Sequence, residues 1–391
     1  MSHVLVYLIA LSTLVYLLRH LYKLSTRLNF HTDPIAQRTS QMLPVETIER
    51  IADFLFEARP PIMNRDSATP ISCVKPQWNE VAGFMEASPA LHAVGYVRWL
   101  TVLTVQKPED WAIVSCSSQL VRELRCADGA LINARHQNIL GKFSHLYALS
   151  IDAHGDVMYD NRNHFTYRDL FLSLPTSLRR LEIIRAHGPD MKVISAAKEY
   201  CPNLEELRLG RCTVFNSPTI CKFWQTFPLD HDSYMSIEDT DSYVHSVAQE
   251  LGPLQSLQRL RLGLYLIPST TILAHRVYHK RNMVAPEVIE WQHAVSLAVF
   301  PNEAALNDVA ALNLLPGTTD QLSSILYQTD PYEDFGSEQM CELCVESISQ
   351  TGYESETRAN AILKNLLPNL KSVEWMSWLS SGHTGVNIHE L

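Results

Sequence analysis

Three kinds of hydrophobic pattern follow one another along the 391 residues. The first is unbroken. From Val4 to Leu18 (VLVYLIALSTLVYLL), 13 of 15 residues are apolar, interrupted only by Ser12 and Thr13, and no charged side chain occurs before Arg19. A helix apolar on every side does not suit a protein surface. Eighteen residues of helix reach about 27 Å, slightly short of a hydrocarbon core of about 30 Å. Leu21, Tyr22 and Leu24 extend the span if Arg19 and Lys23 snorkel to the interface.

The second pattern has the period of a helix. After Leu43 and Pro44, the residues Val45, Ile48, Ile51, Ala52 and Leu55 fall on one face. Pro44 suits a helix start, and Glu46 complements its positive end. Arg59-Pro60-Pro61 ends the pattern. A second helical patch surrounds Val74, Trp78, Val81 and Ala82, with Pro76 placed to kink or delay it. A third runs from Met85 to Leu103.

The third pattern is a recurring Leu-x-x-Leu-x-Leu-like triplet. It occurs at Leu100/Leu103/Val105, Val121/Leu124/Cys126, Leu146/Leu149/Ile151, Leu178/Leu181/Ile183, Leu204/Leu207/Leu209, Leu257/Leu260/Leu262 and Leu370/Val373/Trp375. The leading positions are spaced by 21, 25, 32, 26, 53 and 113 residues. The early spacings lie near the period of about 20–29 residues seen in leucine-rich repeats, and 53 is about two of them. A short parallel strand with one buried face turns alternate residues inward, and the leading leucine covers the edge of the stack. Intervening segments read as helices, for example Asp190–Tyr200 and Asp241–Leu251, with long insertions at 213–250 and 266–366. Two acidic stretches, Leu229–Tyr243 and residues 328–357, lack Lys and Arg and read as solvated segments or as sites for a basic partner.

Residues 42–96 resemble an F-box. Leu43, Pro44 and Glu46 match the family's opening Leu-Pro-x-Glu, and Ile48, Ile51 and Leu55 match its apolar helix face. Val74 and Trp78 keep the offset of its second element, and Ser88, Pro89 and Leu91 match its third. The linker at 57–72 is longer than usual, and Pro76 departs from the family pattern. The segment CPNLEELRLGRC, Cys201 to Cys212, looks like the cysteine-containing leucine-rich repeats found behind F-boxes, with Cys212 as a small buried residue at the turn and not a ligand. The resemblance implies an α/β chain in three parts: an N-terminal hydrophobic helix, a small all-α F-box-like module and an irregular leucine-rich-repeat solenoid. The corresponding ranges are an anchor-like helix at 1–28, a linker at 29–41, the helical module at 42–96 and the repeat domain at 97–391. It further implies a Skp-family adaptor as partner, bound through Leu43, Pro44, Glu46, Ile48, Ile51, Leu55, Val74 and Trp78, a cullin–RING ligase behind it, and an unidentified protein substrate held by the repeats.

Charge and composition narrow the classes. The net charge is −10, with +3 in residues 1–32 and −13 in the remainder, which argues against a nucleic-acid grip. The charges Arg19, Lys23 and Arg27 follow the apolar run, an order that fits an anchor holding the body on the cytoplasmic face of a membrane. A cleaved signal peptide and a buried helix are the other readings of that run. No N-x-Ser/Thr sequon occurs. The eight cysteines read as reduced thiols. Cys341-Glu342-Leu343-Cys344 is a lone C-x-x-C, and His275 and His279 read as a basic helical face. The other histidines show no ligand spacing, and no nucleotide-binding, serine-hydrolase or zinc-protease motif occurs. The reading is therefore a non-catalytic chain with no cofactor or metal. The F-box resemblance implies a substrate-recognition adaptor of an SCF-type ubiquitin ligase. The alternatives are a membrane-tethered repeat protein with no ubiquitin role, or a lumenal enzyme retained by the terminal Ile388-His389-Glu390-Leu391.

Overall fold

The computed structural model describes residues 43–59, 71, 73–131, 138–162, 164–212, 221, 223, 240–266, 349–377 and 385–391. The anchor-like run at 1–28, the linker at 29–41, Cys341, Cys344, His275 and His279 lie outside the described residues. No helix among the described residues is long and apolar enough to cross a membrane. The chain divides into two compact units, Met1–Arg50 and Ile51–Leu391. The described part of the first is Leu43–Arg50. There the Pro44 carbonyl accepts from the Thr47 and Ile48 amides at 2.9 and 3.1 Å and starts helix α1, Val45–Leu55.

In the second unit, α1 ends on a small helical cluster. Helix α2 spans Trp78–Ala87 and α3 spans Pro89–Trp99. Pro76 precedes α2, so it delays the helix and does not kink it. The third helical patch does not begin at Met85 as its sequence period implied. Ser88 is extended and caps α3, accepting from the Leu91 amide at 3.2 Å, with Pro89 in the first turn. Met85 therefore belongs to α2, because the Ser-Pro pair favours a new helix start over continuation. Ala52, Phe56, Val81 and Met85 form the core of this cluster. Gly95 lets α3 approach closely, since a Cβ there would stand 2.3 Å from the Met85 sulphur. Arg98 on α3 pairs with Asp53 on α1 at 2.7 Å.

The remainder is a mixed α/β assembly around an eight-stranded, mostly parallel sheet. Its strands are β1 (Val102–Val105), β2 (Glu123–Cys126), β3 (Ala148–Asp152), β6 (Arg180–Ala186), β7 (Glu206–Arg211), β8 (Arg259–Leu262), β9 (Ser372–Ser377) and β10 (Gly385–Glu390), adjacent in that order. The first seven are mutually parallel and β10 is antiparallel to β9. A separate antiparallel hairpin, β4 (Val157–Tyr159) and β5 (Phe165–Tyr167), is inserted after β3. It accounts for the 32-residue spacing in the triplets.

Each of the seven triplets lies at one of the seven parallel strands, and the register aligns them. Leu103, Leu124, Leu149, Leu181, Leu207, Leu260 and Val373 form one continuous row. Val105, Cys126, Ile151, Ile183, Leu209, Leu262 and Trp375 form the next. Apart from the half-buried Leu103, every triplet residue is buried. Helices α5 (Asp190–Tyr200), α6 (Thr240–Leu251) and α7 (Ser349–Leu366) cover this face. A four-residue helix, α4 (Trp111–Val114), precedes β2. The two helices read from the sequence appear at Asp190–Tyr200 and one residue earlier than Asp241. Helix α7 was hidden by its polar buried stripe: Asn360 accepts from the Trp375 indole at 2.8 Å, and Glu356 holds Asn387 at 2.9 Å and His389 at 2.6 Å on β10. The terminal residues that loosely echo a retention signal form β10, which pairs the edge of β9.

Because one row of side chains packs every strand to its neighbours, a cavity in it loosens two interfaces at once. Leu207→Ala, at a fully buried position, is expected to cost about 2–5 kcal/mol. Urea denaturation monitored by circular dichroism measures the loss.

Candidate functional site

Three regions carry chemistry beyond packing. The first is the helical cluster. Of the residues expected to meet an adaptor, Leu43, Pro44 and Glu46 are exposed and Ile48 is half-buried on the first turns of α1. In the second unit, Ile51, Val74 and Trp78 are exposed, whereas Leu55 packs on the Ala52/Phe56/Val81/Met85 core. Phe54, 76% exposed, was not among the expected residues. It lies off the narrow apolar stripe used to read the helix. Trp78 is held edge-on to Trp99 with ring centroids 5.3 Å apart. Lys75 lies 3.8 Å over the Trp99 ring, and its burial lowers its pKa. The long linker closes through a two-residue antiparallel bridge, Arg59 to Val74.

The second region is the sheet face opposite the helices. Residues between the buried triplet positions line up across strands: Arg125, Ser150, Glu182, Arg208, Arg261 and Glu374 in one row, and Glu123, Ala148, Arg180, Glu206, Arg259 and Ser372 in another. Glu182 and Glu206 are each only 3% exposed. Glu206 pairs with Arg208 at 2.7 Å, Arg259 at 2.9 Å and Arg180 at 3.3 Å. Glu182 accepts from the Ser150 hydroxyl at 2.6 Å and the Ile71 amide at 2.9 Å. Arg180 donates to the Ile71 carbonyl at 2.9 Å, and Cys73 donates its amide to Glu123. The chain at Ile71 and Cys73 is thus docked on the charged face by its backbone, with the Ile71 side chain fully buried. Arg261 pairs with Glu374 further along.

The third region lies past the carboxyl ends of β3, β6 and β7. His154 follows β3, His187 follows β6 and Cys212 follows β7; Cys221 comes from nine residues further on. Strand β6 carries one extra residue there: Ile183 pairs with Leu209, but Ala186 pairs with Arg211. Arg185 in this bulge takes φ of 56°, a conformation that costs a non-glycine residue about 1–2 kcal/mol. Its guanidinium is held by Asp152. Gly210 lies opposite, where a Cβ would stand 2.8 Å from the Ile183 carbonyl oxygen. The bulge brings His187 level with Cys212, whose amide donates to the Ala186 carbonyl at 3.0 Å.

At this cluster, one donor atom from each of His154, His187, Cys212 and Cys221 lies within 4.8 Å of the others. Buried Asp156 accepts from His187 Nδ1 at 2.8 Å and from the amides of His187 and Gly188 at 2.9 and 2.7 Å. That carboxylate fixes the proton on Nδ1 and leaves Nε2 as a lone-pair donor, 3.3 Å from the Cys221 sulphur. His154 faces a carboxylate less closely: its Nδ1 lies 3.6 Å from Asp128, beyond hydrogen-bond distance, and its Nε2 is buried without a hydrogen-bond partner. The Asp128 carboxylate, and then the Cys221 sulphur, push the His154 pKa up to about 9 against its burial. Phe223 packs edge-on to His187 and to Phe165, with centroids 5.2 and 4.9 Å away. All six described cysteines are unbridged. Sequence spacing did not reveal this group, because its members are separated by whole repeats. The one available signal was that His154 and Cys212 occupy the same position, three residues after the last triplet residue.

The charged face makes acid stability testable. Burial alone would raise the Glu206 pKa, but Arg208, Arg180 and Arg259 outweigh it and hold the carboxyl below its ordinary range. Its contribution is therefore present above the unfolded pKa of about 4.3 and is lost as pH falls through the lower folded value. Glu206→Gln is expected to lose about 3–5 kcal/mol at neutral pH by stranding buried Arg208 and half-buried Arg180. It should also show a shallower decline in stability on acidification than the wild type, read from urea midpoints across a pH series.

Comparisons with family models, with curated proteins and with solved structures find no match to this chain.

Proposed function

We propose that this chain is a non-catalytic substrate-recognition adaptor of a cullin–RING ubiquitin ligase. The α1–α3 region acts as an F-box-like module toward a Skp-family adaptor, and the parallel array acts as an irregular leucine-rich-repeat solenoid that holds a protein substrate. The observation that carries the reading is the order of parts. A helix opening on Leu43-Pro44-x-Glu46, a helix opening on Trp78 and a helix capped by Ser88-Pro89 lead directly into seven parallel strands adjacent in sequence order. Ile51, Phe54, Val74 and Trp78 leave large apolar side chains at the surface of the small helical cluster. A partner that buries helix-borne apolar side chains in a groove suits such residues. The function is proximity: holding a substrate raises the effective concentration of its lysines near the conjugating enzyme. In this reading, residues 1–28 tether the protein to the cytoplasmic face of a membrane.

Co-purification of the full chain with its Skp-type adaptor tests the proposal. Wild type is expected to recover the adaptor. Leu43→Ala with Pro44→Ala, and separately Trp78→Ala, are expected to lose about tenfold or more of it while circular dichroism stays unchanged. A folded wild type that recovers no adaptor overturns the reading and leaves a membrane-tethered repeat protein in its place.

A further inference from the structure

We propose that His154, His187, Cys212 and Cys221 form a tetrahedral zinc site that ties the chain at Cys221 to the ends of β3, β6 and β7. The inference does not depend on the adaptor reading. Two imidazoles and two thiolates are a donor set suited to zinc and other borderline-soft divalent ions. Zinc–sulphur bonds of about 2.3 Å and zinc–nitrogen bonds of about 2.0–2.1 Å place tetrahedral ligands about 3.3–3.8 Å apart. The four donor atoms lie within 4.8 Å of one another, so an ion closes the group by a movement of about 1 Å.

The surroundings match a metal centre in three further respects. His187 is oriented by Asp156 through the ring nitrogen facing away from the sulphur, and His154 presents its Nδ1 toward Asp128 at 3.6 Å. Such carboxylate–histidine pairs fix the tautomer and strengthen the ligating nitrogen. The buried Nε2 of His154 has no hydrogen-bond partner, and an ion supplies one. The β6 bulge keeps Arg185 in a left-handed conformation and Gly210 free of a side chain, and its effect is to bring His187 level with Cys212. A strained bulge that re-aims one side chain into a cluster of donors is a device of ligand sites.

Cys221, His187 and Asp156 also have the order of a thiol nucleophile, its base and an orienting acid. Burial of both Cys221 and His187, at 2% and 6% exposure, together with two more converging donors, favours a closed structural ion. On binding, each cysteine, and His154 where it is protonated, gives up a proton to solvent, and no redox change occurs.

Zinc content of the full chain, purified under reducing conditions and measured by mass spectrometry after exhaustive dialysis, tests the site. About one zinc ion per chain is expected. Exchange with cobalt(II) should give the intense visible bands of a tetrahedral thiolate complex. Cys221→Ser and Cys212→Ser should lose the metal, whereas Cys116→Ser, at an exposed cysteine outside the cluster, should keep it. Asp156→Asn, which preserves all four ligands, should weaken zinc binding about 10–100-fold. If the ligand variants fail to fold, alkylation of the wild type decides: Cys212 and Cys221 should be protected until a chelator is added. Three results overturn the proposal: a zinc-equilibrated wild type holding no metal, a Cys212–Cys221 disulfide in the native peptide map, or equal alkylation of both thiols with and without zinc.

Discussion

The register between seven parallel strands governs the rest of this structure. At the triplet positions neighbouring strands pair residue for residue, so a leucine-type position in one strand stands beside its equivalent in the next. The row from Leu103 to Val373 is thereby continuous over six interfaces. No single strand buries its own apolar face, and each depends on its neighbours and on the covering helices to exclude water. The helices α5, α6 and α7 then have one place to go. Ile194, Ala197, Val244, Val247, Ala248, Leu251, Ala359 and Leu363 complete the same core.

The alternation of a strand makes the opposite face a consequence of the first. Residues between the triplet positions are brought into rows just as strictly, and in this chain many of them are charged. Opposite signs alternate between neighbouring strands at Arg180, Glu206 and Arg259, so pairing offsets part of the cost of burial. The backbone at Ile71 takes part, donating to Glu182 and accepting from Arg180. Glu182, Glu206, Arg208, Arg261 and Glu374 are buried on this face, because ions ranked across strands satisfy one another and the docked chain.

The departures from regularity concentrate at one end of the sheet. The β4–β5 hairpin, the β6 bulge and the left-handed Arg185 all lie around β3 and β6. There His154, His187 and Cys212 follow the carboxyl ends of three neighbouring strands, β3, β6 and β7. The left-handed Arg185 and the bulge are confined to this end, while the rest of the parallel ladder stays in register.

The triplets were legible because a period-two pattern buried on one side is characteristic of a strand and foreign to a helix. They located all seven parallel strands, and the neighbouring apolar periodicity located α5 and α6. The first two helical patches were legible for the same reason, and the boundary between α2 and α3 was misplaced because apolar spacing continued across the Ser88-Pro89 start signal. Helix α7 and strand β10 were not legible, since their contacts run through Glu356, Asn360 and His389, polar residues whose burial depends on partners far along the chain. Of the histidine–cysteine cluster, the triplets carried only the shared position of His154 and Cys212. What the sequence alone determined is the set of parallel strands and their inward faces, because side-chain alternation is a property of the strand itself. What only the tertiary structure decided is which polar residues meet, because strand order and a single inserted residue in β6 set those distances.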